Sequence, residues 1–463
     1  MPIRASFLLS MALLLICSAL TGPLLAADGA LDPSFNGSGK LNTVFNPASP
    51  VNADLAFKVL VQTDQKIVVV GWVSDITDPA DIGVVRYNPN GTVDTTFGNH
   101  GFTRVGFGFL SADEAFAAAR QADGKILIGG FTGAFGGSPA FALVRLRTDG
   151  TPDPAFGSGG MVQTDLGGDD WILALKVQSD GKILAAGMTG SPASHDFALV
   201  RYNPNGTLDN TFGTGGKVIT DFTGRDDRPA AIAVQSDGKI LVGGLSAPTA
   251  APTSSPQMAL ARYTPAGRLD TTFGTGGKLL LTLGVKSGAT AIAVLAGGKI
   301  LVGGGIFQAN GHGNDFLLVR LNPTGTLDKT FGTGGKTVTD FGGGTAGNTD
   351  DIAAIAVLTN GKILAAGEVK ATTTGSGNGQ FGIARYTANG QLDTTFGSAG
   401  KVTTQFGSKG SRCTSVAVQA NGRIVAAGHV FSTNPAQAAS FGVARYLATL
   451  PAVQEPGLDP LDE

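Results

Sequence analysis

Apolar residues along the chain come in short runs, each ended by glycine, proline or aspartate, and do not recur at the 3.6-residue spacing of a helix. The run at residues 240–242 has no polar alternation, which is typical of a strand covered on both faces. Asp237-Gly238 lies between two such runs and predicts a tight two-residue hairpin. The pattern therefore predicts an all-β chain of short strands.

One unit of about 60 residues recurs seven times, with only local changes. In the fourth copy we predict strands over residues 230–235, 239–243, 258–263 and 269–281, the last of them interrupted at its glycines. A four-stranded sheet cannot cover both of its faces alone, whereas several sheets arranged radially can. The sequence predicts a seven-bladed β-propeller with four-stranded blades over residues 28–450. The hairpins of the seven copies end at Lys66, Lys125, Lys182, Lys239, Lys299, Lys362 and Arg423.

The two ends of the repeat region complement each other. The chain has a Leu31-Asp32 motif with no Arg strand before it, and it ends soon after the Arg strand at Arg445. We therefore predict that residues 31–45 supply the missing strand of the last blade and join the termini. In the alternative, each copy is a whole blade and the ring closes by packing alone. An open stack would need polar capping repeats, which the terminal copies do not resemble.

The repeat elements resemble those of the delta-60 repeat β-propeller family of bacterial exported proteins. The matching elements are Gln-x-Asp-Gly-Lys-Ile-Leu, Ala-Arg-Tyr-Asn-Pro-x-Gly and Leu-Asp-x-x-Phe-Gly-x-x-Gly, and together they cover nearly the whole chain after residue 27. The resemblance implies a propeller and assigns no chemistry to individual residues. Departures such as Gln65 in the first hairpin and Met161 after the glycines affect single blades only.

An arginine and an aspartate eight residues apart recur in six copies, and the seventh arginine can meet its aspartate only through ring closure. A pair present in every copy predicts a structural ion pair, because a catalytic site needs one constellation and not seven. The phenylalanine of the same motif is predicted to lie between blades. The pairs are Arg86 with Asp94, Arg145 with Asp153, Arg201 with Asp209, Arg262 with Asp270, Arg320 with Asp328, Arg385 with Asp393, and Arg445 with Asp32.

A second recurring position, twelve residues before each hairpin Lys or Arg, carries an acid in five copies and a serine in two. One interpretation is an acidic ring at the mouth of the axial channel, able to attract a cation such as calcium. The other is that each side chain starts its strand through local hydrogen bonds. The residues are Asp54, Asp113, Asp170, Asp227 and Asp350, with Ser287 and Ser411.

The sequence contains no motif for a nucleotide, metal or nucleophile. The repeated Gly-Gly-Lys lacks the earlier glycine of a phosphate loop, having Thr330 in that place, and the four histidines have no ligand spacing. A net charge of −2 argues against nucleic acid, whose phosphates need clustered cations. We therefore predict no catalytic residue, metal ligand or required cofactor.

The N-terminus predicts export. One charged residue precedes an apolar run of about 14 residues and small residues at Ala26 and Ala27, which is typical of a signal peptide over residues 1–27 and too short for a membrane span. A lipoprotein would use Cys17, but the preceding Ile16 is bulkier than that signal prefers. Removal of Cys17 leaves Cys413 alone, so no internal disulfide can form. Residues 451–463 predict a flexible acidic tail.

Two functions remain open from the sequence. The first is a secreted or periplasmic, monomeric binding or scaffold protein that presents loops on one propeller face to a protein or glycan. The second is a metal-assisted lyase or hydrolase at the axial channel. Fold alone does not choose between them. The loops that vary between copies lie at 73–80, 132–139, 189–195, 246–256, 306–314, 369–379 and 430–439.

Overall fold

The computed structural model describes residues 27–46, 52–74, 80–108, 111–134, 137–191, 194–222, 224–248, 255–307, 313–342, 349–370, 379–434 and 437–448. The predicted signal peptide up to residue 26, the predicted tail and parts of the variable loops lie outside these residues. Within them the chain is all β, apart from a three-residue 3-10 turn at Ala296–Gly298. No helix among the described residues has the length and apolarity to cross a membrane.

The strands are short and follow one another with the period of the repeat. In chain order they are β1 (Lys40–Thr43), β2 (Asn52–Val61), β3 (Ile67–Ser74), β4 (Asp81–Tyr87), β5 (Phe102–Val105), β6 (Ser111–Arg120), β7 (Ile126–Ala134), β8 (Ala140–Leu146), β9 (Met161–Thr164), β10 (Trp171–Val177), β11 (Ile183–Ser191), β12 (Ser194–Tyr202), β13 (Lys217–Thr220), β14 (Arg225–Val234), β15 (Ile240–Pro248), β16 (Gln257–Tyr263), β17 (Lys278–Leu281), β18 (Lys286–Val294), β19 (Ile300–Phe307), β20 (Asn314–Leu321), β21 (Lys336–Thr339), β22 (Asp351–Val357), β23 (Ile363–Val369), β24 (Gln380–Tyr386), β25 (Lys401–Thr404), β26 (Ser411–Val418), β27 (Ile424–Phe431) and β28 (Gln437–Tyr446).

Four consecutive strands make one antiparallel unit. Five units, beginning at β6, β10, β14, β18 and β22, are separate four-stranded sheets. The other described strands form one eight-stranded sheet, in which β2–β5 and β26–β28 with β1 are joined by a short parallel pairing of β2 with β28. The first strand of each unit contacts the first strand of the next, and β26 contacts β2. This closed series of contacts places the first strands around a common axis.

The N-terminal segment lies beside the last strand, where the sequence predicts it. Strand β1 pairs antiparallel with β28, and Leu31 bridges Tyr446. The Asp32 carboxylate accepts a 3.0 Å hydrogen bond from Arg445 Nε, which joins residues 413 positions apart. The backbone carbonyl of Gln65 adds a contact between the first and last hairpins by accepting a hydrogen bond from the Gln419 side chain.

The apolar cores lie between adjacent units and not within one sheet. In one core, Leu184 and Phe197 of the β10 unit pack with Ile240 and Ala259 of the β14 unit. The two middle strands of a unit are almost wholly buried, which explains the uninterrupted apolar runs in the sequence. Stability therefore depends on contacts between units, because no unit encloses a core of its own.

Two local predictions are wrong in detail. The hairpin after β14 has a three-residue loop, closed by hydrogen bonds from Gln235 N to Lys239 O and from Gly238 N to Gln235 O, and only Gly238 of this loop has a positive φ. A single left-handed glycine after a type I turn suits such a loop, so Asp237 needs no positive φ. The fourth strand is interrupted at its glycines as predicted, but before them only Leu269 makes a bridge, to Tyr263, and the regular strand spans Lys278–Leu281. The residues between fold into a turn that begins at Asp270.

Candidate functional site at the axial mouth

The recurring arginines and aspartates form a structural node in each unit, as the sequence predicts. In the β10 unit, Arg201 Nε donates to Asp209 Oδ2 at 2.7 Å, and its guanidinium lies 4.4 Å from the centre of the Phe212 ring. Arg201 also donates to the carbonyl of Pro265 in the next unit. The same Arg–Asp contact is present in all the pairs predicted, from Arg86–Asp94 to Arg445–Asp32. Through its second hydrogen bond, to the Pro265 carbonyl, the node connects neighbouring units.

These aspartates are ionised by their surroundings despite burial. Burial of Asp209 opposes ionisation, but hydrogen bonds from Thr211 and Lys182, together with the charge of Arg201, hold its pKa well below the usual value. Lys182 of the hairpin lies 3.0 Å from the same carboxylate. The node is fully paired and has no free group for chemistry.

The five acids of the second recurring position do not line an open channel mouth. Asp54, Asp113, Asp170, Asp227 and Asp350 are at most 1% exposed. Each accepts a backbone hydrogen bond from the loop that enters its strand, for example from Phe222 N to Asp227 Oδ2 at 2.7 Å and from Phe107 N to Asp113 Oδ2 at 2.7 Å. This geometry matches the local strand-starting interpretation.

Two of these acids belong to compact groups of three carboxylates. Asp227 lies with Asp196 and Asp221, and Asp350 with Asp315 and Asp340, so that one oxygen of each member lies within 4.8 Å of the others in its group. Carboxylate oxygens are ligands for hard cations such as calcium. Burial, with a contribution from the neighbouring acids, raises the pKa of Asp227 and of Asp350 to about 6.

These raised pKa values predict an unusual dependence of stability on pH. Because the folded state holds the protons of Asp227 and Asp350 more tightly than the unfolded chain, their contribution is largest near pH 4 and is lost as pH rises to about 6. The Arg-paired aspartates act in the opposite direction and lose stability as pH falls below about 4. We expect the melting temperature to be highest near pH 4 to 5.

Asp227→Asn with Asp350→Asn tests this assignment in a thermal melt at pH 7.5 and at pH 4.5. The double variant should melt about 2 °C or more higher than wild type at pH 7.5, with no gain at pH 4.5. Asp123→Asn is the control, since the Asp123 side chain is 55% exposed. Equal shifts at the two pH values would contradict the assignment.

The residue after each of these acids or serines lies on the opposite face of its strand and is less buried than the acid or serine. Successive side chains of a strand point to opposite faces, so a shift of one residue changes the surface that is lined. We call this set the axial mouth residues, and all are half-buried or exposed. They are Leu55, Glu114, Trp171, Arg228, Gly288, Asp351 and Arg412.

Each axial mouth residue faces the second strand of the preceding unit. The Trp171 ring lies 4.7 Å from the Phe131 ring of β7, and Arg412 Nε lies 3.4 Å from Glu368 Oε2 of β23. Residue 131 in β7 and residue 368 in β23 occupy the same repeat position, so the same contact recurs at different junctions. Glu114 of β6 and Trp72 of β3 occupy the same two repeat positions as Trp171 and Phe131.

One half of the mouth is aromatic. A continuous series of ring contacts runs from Phe431 to His429 (5.2 Å), then to Phe57 (5.9 Å), Phe116 (5.0 Å) and Trp171 (5.8 Å). These residues come from β27, β2, β6 and β10, so the series crosses three junctions between units. We call these five residues, together with Phe131, the aromatic arc.

The other half of the mouth is small and charged. The positions equivalent to Phe57 and Phe116 carry Ala230, Thr290 and Ala353. Arg228 pairs with Asp226 at 3.0 Å and is 49% exposed. Arg412 is 54% exposed. The mouth therefore offers an apolar wall and a polar wall across one opening.

Three polar groups of the aromatic half have incomplete partners among the described residues. Trp171 Nε1 and His429 Nδ1 are buried without a hydrogen bond. Glu114 has no ion pair or hydrogen bond, and burial alone raises the pKa of its carboxyl to about 7. Burial and the charge of Arg412 lower the pKa of His429 to about 4, so this imidazole is neutral at pH 7. The aromatic half thus combines rings with unsatisfied polar atoms.

Sequence reasoning selected the recurring acid and missed the residue beside it. The available signal was variation between copies: the acid position changes only between aspartate and serine, whereas the next position differs in almost every copy. The fold does not require a particular side chain at a position that varies within an otherwise constant repeat. It is therefore the better candidate for a site.

No curated protein matches the chain. Among solved structures, a catalytically inactive virginiamycin B lyase from Staphylococcus aureus with quinupristin is 10% identical, with 88% of this chain and 99% of that chain covered and a TM-score of 0.48. The polysaccharide lyase Uly1 is also 10% identical, with coverage of 88% and 92% and a TM-score of 0.47. A Dyadobacter fermentans protein of unknown function is 12% identical, with coverage of 74% and 97% and a TM-score of 0.44. These distant likenesses assign no activity.

A family model described as a domain of unknown function (DUF5122) beta-propeller matches six segments of the chain. The segments are residues 62–97, 121–156, 178–212, 235–273, 298–331 and 358–396. Each contains a hairpin, an Arg strand and the Asp-x-x-Phe turn of one unit, so the matched features are those that build the structural node. Six segments of the chain therefore resemble the repeats that this family model describes, which supports a repeat protein of the β-propeller type.

Proposed function

We propose that the chain is an exported binding protein, acting in the periplasm or outside the cell, whose ligand site is the axial mouth. In this proposal the four-stranded units are the seven blades of a closed propeller, consistent with a delta-60 repeat protein. The partner is a protein or a glycan, which the variable loops around the same face would also contact. The protein would act as a monomer.

The main observation in support of this proposal is that the axial mouth has different side chains on its two halves. A propeller built only for stability would repeat the same side chains around its axis, as it does at the Arg–Asp nodes. The mouth instead changes from rings at Phe57, Phe116 and Trp171 to charges at Arg228 and Arg412. Aromatic rings beside polar groups are typical of recognition surfaces.

The enzyme alternative is not favoured. It depended on the recurring acids acting together at the channel, but Asp113 and Asp227 are fully buried and bonded to the loops of separate junctions. Catalysis by a carboxyl pair needs both groups beside one reacting centre. The two carboxylate triads likewise lie in different junctions between units.

A binding screen with matched variants tests the proposal. Wild type, Phe116→Ala with Trp171→Ala, and Arg228→Glu should be compared on a glycan microarray and in capture from native culture fluid, after melts confirm folding. We expect each mouth variant to weaken retention of the bound glycan or protein at least about tenfold, as loss of central contacts does. Arg147→Ala, a change at a 48% exposed residue beside a hairpin turn, is the control. Undiminished retention by both mouth variants would contradict the proposal.

A further inference from the structure

The β2–β6 junction of the axial mouth has a feature that the other junctions lack: a carboxyl set among aromatic rings without a counter-ion. Glu114 is half-buried on β6, two residues from Phe116 on the same strand, and its cross-strand partner is Phe131. Phe116 lies 5.0 Å from Phe57 of the preceding unit, and Trp72 of that unit occupies the repeat position that Phe131 holds beside Trp171. No salt bridge or hydrogen bond to its carboxyl exists among the described residues, and no neighbouring charge contributes to its raised pKa.

We propose that this junction binds the alkylated ammonium group of a ligand, with Glu114 as the counter-ion and the rings of Trp72, Phe57 and Phe116 as its walls. The inference rests on the proposed binding function and names the chemistry of the ligand. Aromatic faces attract cations through their quadrupole, and recognition of quaternary ammonium groups by aromatic cages is a known use of that attraction.

Charge complementarity supports a cationic ligand. The other acids of the mouth already have partners: Glu368 lies between Arg412 and Lys370, at 3.4 Å and 3.2 Å. Asp351 accepts hydrogen bonds from the Asn314 amide at 3.2 Å. Burial disfavours the charged form of Glu114, and no cation among the described residues offsets this cost. A bound cation would supply the missing opposite charge.

The hydrogen-bonding capacity of the junction favours an alkylated ammonium over a primary one. A primary ammonium has three donors and needs acceptors for them when it is desolvated. The aromatic rings accept only weakly, and the indole nitrogens of Trp72 and Trp171 are donors. A quaternary ammonium has no N–H to satisfy and is matched by one carboxylate and several ring faces.

The test compares choline with 3,3-dimethyl-1-butanol, an uncharged molecule of nearly the same shape. Trp72 and Trp171 are the two tryptophans of the chain, and both lie in this half of the mouth, so intrinsic fluorescence reports binding directly. We expect saturable quenching by choline, with the neutral isostere at least about fivefold weaker. Trp72→Phe should remove most of the signal change if the cation sits beside Glu114.

Glu114→Gln should weaken choline binding at least about fivefold while leaving the melting temperature within about 2 °C of wild type. Glu368→Gln is the matched control, since it removes an acid of the same mouth that is already paired, and it should leave choline binding unchanged. Equal binding of choline and its isostere, no choline binding at 50 mM (roughly the limit of a weak site), or full binding by Glu114→Gln would each overturn the proposal.

These outcomes are separate from those of the binding screen. One outcome is that choline does not bind, whereas the double variant Phe116→Ala, Trp171→Ala no longer retains the glycan or protein. In that case the axial mouth remains the binding site, and the assignment of an alkylated ammonium ligand is wrong. Stronger quenching by lysine methyl ester than by choline would also overturn the preference for an alkylated group.

Discussion

A chain that lacks residues 28–45 should lose its cooperative thermal transition, or melt at least about 10 °C lower than the chain that begins at Asp28. The deletion removes β1 and leaves β28 with an unpaired edge. It removes the fully buried Phe35 from its core. It also leaves Arg445, which is 5% exposed, without the carboxylate of Asp32. Circular dichroism and calorimetry measure the outcome.

A synthetic peptide of residues 28–46 provides the control for this deletion. Added to the truncated chain, the peptide should restore the transition, whereas the same peptide with Phe35→Ala and Asp32→Asn should not. A truncated chain that melts like the complete one would show that the remaining units close by packing alone.

Arg201→Met should destabilise the protein by about 3 to 5 kcal/mol, the cost of leaving a buried partner without its charge. Asp209 is 4% exposed, and after the change the Lys182 ammonium is the one cation left beside it in the described part of the chain. The variant also loses the hydrogen bond to Pro265 O, which links the β10 and β14 units. Denaturant unfolding, analysed as a change in midpoint, measures the effect.

Adding Asp209→Leu to Arg201→Met should recover part of this loss, because the buried charge disappears with its partner. Arg228→Ala is the control: this arginine is 49% exposed and, among the described residues, pairs with Asp226 alone, so its loss should cost less than about 1 kcal/mol. A loss of the same size for Arg201→Met and Arg228→Ala would contradict the structural role of the nodes.

The strands and Arg–Asp pairs of the repeated units could be predicted from the sequence because the same residues recur at the same spacing from copy to copy. The eight-residue spacing of Arg201 and Asp209 suffices to predict their pairing, since a fold built from copies must satisfy each copy alike. The pairing of Arg445 with Asp32 follows from the same rule applied across the termini. The loop after β14 was predicted incorrectly because Asp-Gly suits both two-residue and three-residue hairpins, and only the register of Gln235 with Lys239 separates them.

The site follows from the sequence only in part. The sequence placed one candidate site, the acidic ring, at the axial channel and chose Asp227 and its equivalents, one position before Arg228 and the other residues of the proposed site. In a strand that difference decides whether a side chain enters a loop or faces the axis. The aromatic arc was also missed, because Phe57, Phe116 and Trp171 meet only when separate units close around the axis. No local pattern reports such a contact.

An engineered disulfide between β1 and β28 shows whether the units close around one axis through the N-terminal strand. Lys40 and Ala444 are register partners in β1 and β28. They flank the bond from Arg445 N to Gly39 O, and so form a non-hydrogen-bonded pair with close Cβ atoms. Lys40→Cys with Ala444→Cys, in a Cys413→Ala background, should form an intramolecular disulfide in the native monomer.

Mass spectrometry of the oxidised monomer gives the answer, with Lys40→Cys and Val443→Cys as the control that shifts the register by one residue. We expect the crosslink in the first variant and free thiols in the second, since neighbouring residues of a strand face opposite sides. Free thiols in the first variant, or crosslinks only between molecules, would contradict it.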